Sequence, residues 1–175
     1  MCKFKKAIAV MLSAVMMLTA GSMPIAVNAA TVESSSAVAE QTGTYNDFSY
    51  SILLQKVTIT DYTGTETEIE IPSEINGCPV TRIGESAFEK SAVTNVIIPD
   101  NVTYIGYSAF LGSKIEKIVI PDSVTYIGEN AFYYCNNLSD VTLSKNISGI
   151  ERMTFGSCKS LKNIKIPDGI AYTRN

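Results

Sequence analysis

Apolar residues in this chain recur with a period far longer than the alternation of a strand or the turn of a helix. The pair Ala87-Phe88 returns as Ala109-Phe110, Ala131-Phe132 and Thr154-Phe155, at spacings of 22, 22 and 23 residues. A second apolar block stands ahead of each pair: Val80-Thr81-Arg82-Ile83-Gly84, Val102-Thr103-Tyr104-Ile105-Gly106, Val124-Thr125-Tyr126-Ile127-Gly128 and the weaker Ile147-Ser148-Gly149-Ile150-Glu151. A third follows in the form L-x-x-L-x-L: Val93-x-x-Val96-x-Ile98, Ile115-x-x-Ile118-x-Ile120, Leu138-x-x-Val141-x-Leu143 and Leu161-x-x-Ile164-x-Ile166. Proline follows an apolar residue at Pro72, Pro99, Pro121 and Pro167, with Ser144 in its place in one copy. Four of the six prolines and four of the six phenylalanines thus share one register, which chance does not explain.

A period of 22 to 23 residues carrying an L-x-x-L-x-L strand segment lies in the leucine-rich repeat range and predicts a repeat solenoid. One such strand cannot bury its apolar face alone, so successive units stack in parallel and share a continuous core. Residues 69–175 accommodate about four units, the last weak or incomplete. Pro99 and Pro121 remove a ladder donor and stop their strands, and the glycine of Ile-Gly allows a tight bend. Alanine leaves room, so that Phe88, Phe110, Phe132 and Phe155 fill the interior between turns as its spine.

Upstream of the repeats, Phe48, Tyr50 and Ile52 alternate with polar residues, and Val57-Thr58-Ile59-Thr60 follows a short connection. This predicts an N-terminal β-hairpin cap over residues 48–68. Residues 30–47 are rich in Ser, Thr, Ala, Gln and Glu without an apolar period, and read as a flexible linker with order starting near Phe48. Residues 1–29 begin with Lys3, Lys5 and Lys6, continue through an apolar run over residues 7–18 and end in small residues at Val27 and Ala29. That order is a secretory signal peptide cut after Ala29. The apolar run is shorter than the roughly 20 residues that span a bilayer, so no membrane insertion is expected after cleavage.

Composition then narrows the chemistry. The chain has 175 residues and no histidine or tryptophan. Without an imidazole, Ser-His-Asp and Cys-His nucleophiles and histidine-containing zinc sites are excluded. Fourteen basic and seventeen acidic residues give a formal charge of −3, and removal of the three signal-peptide lysines takes it to −6. Nucleic acid is not an expected partner of such a surface. Three cysteines lie beyond residue 29, an odd number for an exported chain. Of these, Cys135 and Cys158 share the repeat position held by Ser91 and Ser113 in earlier units, and read as small buried residues of one column. A disulfide between adjacent turns is the alternative, and requires Cα atoms within about 7 Å. Three scattered thiols do not make a closed zinc site, and neither a metal nor another cofactor is implied.

Carboxylates are the remaining catalytic option. Glu66, Glu68 and Glu70 alternate along an expected strand, with Asp61 nearby. Paired acids could serve a carboxylate-dependent hydrolase, but a solvated acidic edge that discourages aggregation is the simpler reading. No catalytic residue is assigned. Tyr104 and Tyr126 hold one repeat position, after Arg82 and before Gly149, either as a recognition surface or as the product of repeat duplication.

The repeated I-P-x-x-V-T-x-I-G-x-x-A-F, with a small residue or Cys shortly after, resembles the BspA-like, treponemal-type leucine-rich repeat family. The resemblance spans roughly residues 62–167, and the longer first unit, Ile71-Pro72-Ser73-Glu74-Ile75-Asn76-Gly77-Cys78-Pro79-Val80-Thr81, resembles that family's opening unit. The chain departs from the pattern at Ser144, Glu151 and Thr154. The resemblance implies a bacterial secreted or cell-surface molecule that takes part in adhesion and protein binding and is not an enzyme.

Strand alternation locates the expected binding surface. Residues between the inward apolar positions must point to the opposite, concave face. One column there is Glu68, Asn95, Lys117, Asp140 and Asn163; the other is Glu70, Ile97, Val119, Thr142 and Lys165. Ile97 and Val119 make an apolar step where water should be, and Asn95, Lys117, Asp140 and Thr142 surround it. That combination is the expected contact for an extracellular or surface protein, following the apolar-core and polar-rim anatomy of interfaces. β-Propensity alone is the plainer account of the two apolar residues, and a structural spacer or a piece of a longer surface protein is the alternative function.

Overall fold

The computed structural model describes residues 39–162, 164–168 and 170–172, so the signal peptide assigned to residues 1–29 lies outside the described residues. In chain order the strands are β1 (Gln41–Tyr45), β2 (Phe48–Leu53), β3 (Lys56–Tyr62), β4 (Glu68–Glu70), β5 (Glu74–Ile75), β6 (Cys78–Ile83) and β7 (Asn95–Ile97). They continue as β8 (Tyr104–Ile105), β9 (Lys117–Val119), β10 (Tyr126–Ile127), β11 (Asp140–Thr142), β12 (Gly149–Ile150) and β13 (Ala171–Tyr172). The repeats coil into a parallel solenoid walled by two sheets. The first three L-x-x-L-x-L segments, together with β4 ahead of them, form a four-stranded parallel sheet in the order β11-β9-β7-β4, and the fourth segment meets it through a single bridge, Thr142↔Lys165.

The V-T-x-I-G blocks contribute strands of their own. β6, β8 and β10 pair in parallel as the repeat part of a seven-stranded sheet. The local pattern explains why: Val102 and Ile105 are fully buried while Thr103 and Tyr104 face outward. The threonines weld this wall from outside. The hydroxyls of Thr103, Thr125 and Ser148 donate to the carbonyls of Thr81, Thr103 and Thr125 at 3.2–3.3 Å, and their backbone N–H groups donate to the same three carbonyls.

The N-terminal residues are a structural part of that sheet. β2 and β3 form the expected antiparallel hairpin through Leu54 and Gln55, and β3 then pairs in parallel with β6, so the hairpin is the first layer of the seven-stranded sheet. Residues 30–38 lie outside the described residues, while Gln41–Tyr45, assigned to the linker of residues 30–47, is instead ordered as β1, antiparallel to β2 over five residue pairs. Its polar sequence hides the strand, because the strand exists only through pairing and carries no buried face of its own. Gly43 serves this contact, since a Cβ there would lie 2.7 Å from the Tyr50 hydroxyl.

The core is one continuous cluster centred on the phenylalanine column. Ring centroids of Phe88, Phe110, Phe132 and Phe155 follow each other at 4.9, 5.2 and 5.3 Å, with interplanar angles of 9°, 4° and 3°. Phe48 and Tyr62 close the N-terminal end of the column against Phe88, at 6.4 and 5.5 Å. Phe155, in the last unit, is only partly buried.

The glycine of Ile-Gly has a different role from the one expected. None of Gly84, Gly106 and Gly128 has a positive φ. Each instead touches the backbone of the preceding layer: a Cβ on Gly106 would stand 2.7 Å from the Gly84 carbonyl carbon, and one on Gly128 2.7 Å from that of Gly106. The left-handed conformations fall two residues later, on Ser86, Ser108, Asn130 and Met153, and again on Lys90, Gly112, Tyr134 and Ser157. These positions turn the chain, and glycine lets the turns approach.

Two substitutions test this division of labour. Phe110→Ala should lower unfolding free energy by about 3–5 kcal/mol in a denaturant titration, the usual range for a fully buried aromatic truncated in place. Gly106→Ala should cost about 1–3 kcal/mol through overpacking against backbone that cannot move aside. A Gly106→Ala protein as stable as the parent would return that residue to the role of a simple bend.

Candidate interaction face

The two columns read from strand alternation fall on the outer face of the four-stranded sheet. Val96, Ile118 and Val141 point inward and are buried, while the residues on either side of each are exposed. Pairing brings Glu68 beside Asn95, Asn95 beside Lys117 and Lys117 beside Asp140, and in the second column Glu70 beside Ile97 and Val119 beside Thr142. Lys165 continues the second column through a parallel bridge to Thr142, whereas residue 163 lies outside the described residues.

Ile97 and Val119 remain 55% and 64% exposed, which is unusual for large aliphatic side chains on adjacent strands. The ladder beneath them is also open. β4 with β7, and β9 with β11, pair over three residues each, but β7 with β9 pair only at Asn95↔Lys117. On the flanking rungs Ile71 N–H donates to Ile97 O at 3.0 Å and Ile120 N–H to Thr142 O at 2.9 Å. The equivalent bond from Ile98 to Val119 is not made. A cleft of about 320 Å³ occupies this place, walled by Asn95, Ile97, Asp100, Lys117, Val119 and Pro121. Lys117, which lines it, makes no ion pair with its strand neighbour Asp140. Asp100, which follows the strand-ending Pro99, lines the cleft with a carboxylate.

The other candidate groups are dispersed. Glu68 and Glu70 are exposed on β4, and Glu66 lies before that strand rather than on it. Among the described residues no cluster of three or more His, Cys, Asp or Glu side chains is arranged to hold a metal ion. Cys135 and Cys158 are free, buried thiols in one column with Ser113, not a disulfide. Their Sγ atoms donate to the carbonyls of Phe110 and Phe132 at 3.0 and 3.1 Å, and Ser113 Oγ lies 3.4 Å from Cys135 Sγ. Burial pushes the Cys135 thiol up and takes Cys158 up to about 11, with the neighbouring Cys135 adding to the second shift.

Similarity to known proteins follows the repeats. A family model described as a BspA type leucine rich repeat region matches residues 58–175 in six copies. A leucine-rich repeat protein from Bacteroides capillosus ATCC 29799 is 33% identical over 75% of this chain and 86% of its own, with a TM-score of 0.48. One from Bacteroides ovatus ATCC 8483 is 30% identical over 74% of this chain and 39% of its own, with a TM-score of 0.47. The leucine-rich repeat protein of T. pallidum is 19% identical over 75% of this chain and 86% of its own, with a TM-score of 0.46. No curated protein matches the chain.

The state of the thiols has a measurable consequence. A folded-state pKa raised to about 11 from 9.0 stabilises the fold below pH 9, and that contribution is lost as pH rises from 9 to 11, because the unfolded chain releases the proton first. Cys135 and Cys158 should therefore resist a thiol reagent at pH 8 and react only after denaturant is added, while Cys158→Ser should flatten the fall in melting temperature between pH 9 and 11. Rapid labelling of both thiols in the native protein would show that the column is open to solvent.

Proposed function

Since the chain belongs to the BspA-type leucine-rich repeat family, we propose that it is a non-catalytic protein-interaction module, exported to the bacterial surface or its surroundings, that engages another protein through the outer face of its four-stranded sheet. The observation that carries the reading is the exposed Ile97–Val119 step above an opened ladder. Apolar groups over a cleft, ringed by Asn95, Lys117, Asp140 and Thr142, supply the desolvated centre and polar rim that protein contacts use. Repetition contributes the extent of the surface, because each turn adds one more rung to the same face. A non-catalytic role is supported by the missing imidazole and by the scattered carboxylates. Export is supported by the basic, apolar and small-residue order of residues 1–29.

Two measurements test the proposal. Secreted protein should show an N-terminus at Ala30 or Thr31 by mass spectrometry; extracellular protein retaining Met1 would overturn export by cleavage. The immobilised protein should capture a partner from extracellular or cell-surface fractions, and Ile97→Ser combined with Val119→Ser should weaken that complex at least tenfold, about 1.4 kcal/mol, with an unchanged melting curve. Undiminished affinity in the folded double variant would move the contact to another face.

A further inference from the structure

A second recognition element lies outside the four-stranded sheet and does not depend on the reading above. On the outer surface of the seven-stranded sheet, Arg82, Tyr104 and Tyr126 occupy one column, in register through the pairings Arg82↔Tyr104 and Tyr104↔Tyr126. The two rings stack at 4.9 Å with an interplanar angle of 13°. The Arg82 guanidinium lies 3.6 Å from the Tyr104 ring centroid and so covers one end of the stack. Arg82 has no ion-pair partner among the described residues. The ring face therefore seats this guanidinium without help from a carboxylate, as the negative face of an aromatic quadrupole can.

The other end of the stack is built differently. Ser148 N–H and Oγ both donate to Thr125 O, which sets Gly149 next to Tyr126 in the column. Glycine offers no side chain, so the regular succession of stacked groups stops there. Charge at this end is negative. Burial is the largest cause that raises the Tyr126 hydroxyl pKa, and Glu151, Tyr104 and Glu129 add to it, so both carboxylates lie within electrostatic reach of the hydroxyl at the ring's edge. Arg152 approaches Glu129 only at 3.8 Å and leaves Glu151 without an ion pair among the described residues.

We propose that the Tyr126 face above Gly149 is a binding site for the guanidinium of an arginine on a partner protein, continuing at the open end the stacking that Arg82 makes at the closed end. The planar cation would lie on the ring, with its N–H fork toward Glu151 and Glu129. Arginine suits the position better than lysine because it stacks flat on an aromatic face and offers paired donors to carboxylates.

The test uses the full-length protein and an acetylated tri-arginine amide, followed by nuclear magnetic resonance. Stacking should move the peptide's side-chain methylene protons upfield through the ring current and shift the Tyr126 ring resonances saturably. Tyr126→Phe keeps the ring and should retain the peptide shifts. Tyr126→Leu removes the ring but no formal charge, and should weaken binding at least tenfold. Gly149→Tyr should have the same effect by adding a third ring to the stack, with the parent's melting curve. Peptide shifts that survive Tyr126→Leu, or a tri-lysine amide that perturbs Tyr126 as strongly, would overturn the assignment, leaving only general attraction between a basic peptide and an acidic protein. If Gly149→Tyr does not fold, the contrast between Tyr126→Phe and Tyr126→Leu decides alone.

Discussion

Each turn of this solenoid must lie within β-ladder distance of the one before it, about 4.7–4.9 Å, and that spacing disciplines every repeated position. Gly84, Gly106 and Gly128 stand where successive backbones approach too closely for a Cβ. The phenylalanines of consecutive turns, held at nearly the same separation, have little choice but to stack almost flat at 4.9–5.3 Å. Flat stacking in turn leaves room for only alanine, or a small substitute, before each ring. Ala87, Ala109 and Ala131 are all fully buried.

The same spacing acts on the outside, where it produces the tyrosine pair at 4.9 Å and the threonine hydroxyls reaching the carbonyls of the turn before. Positions that break the repeat are consequently informative, and they fall into two kinds. Ser144 and Thr154 are repaired internally. Ser144 Oγ donates to Val124 O at 2.6 Å and accepts from Asn146 N–H, and Thr154 Oγ1 donates to Glu151 O at 2.7 Å, so both buried hydroxyls are satisfied where proline and alanine stand in other units. Ile97, Val119 and Gly149 are not repaired in this way. They leave an opened ladder on one face and an interrupted stack on the other.

The N-terminal strands resolve a problem common to stacked repeats, whose first unit has no neighbour to cover it. Phe48 and Tyr62 cover Phe88 with aromatic rings, while β3 provides the parallel neighbour that β6 needs. β1 adds a further strand to the seven-stranded sheet upstream of the hairpin.

Much of this was legible in the chain itself. A 22- to 23-residue period fixes the number of turns, and strand alternation assigns Val96, Ile118 and Val141 to the inside and Asn95, Ile97, Lys117, Val119, Asp140 and Thr142 to the outside. Both are local properties of an apolar pattern, and stacking identical units preserves them. Other features depended on distances between turns. The strand over Gln41–Tyr45 has no apolar signal, and the demand on Gly106 comes from a backbone 22 residues away. The shortening of the β7–β9 pairing to one residue pair involves two strands whose own sequences look regular. Sequence could place Tyr104, Tyr126 and Gly149 in one column, but only the assembled turns decide which ring faces are covered, because covering is a contact between units and no unit contains it.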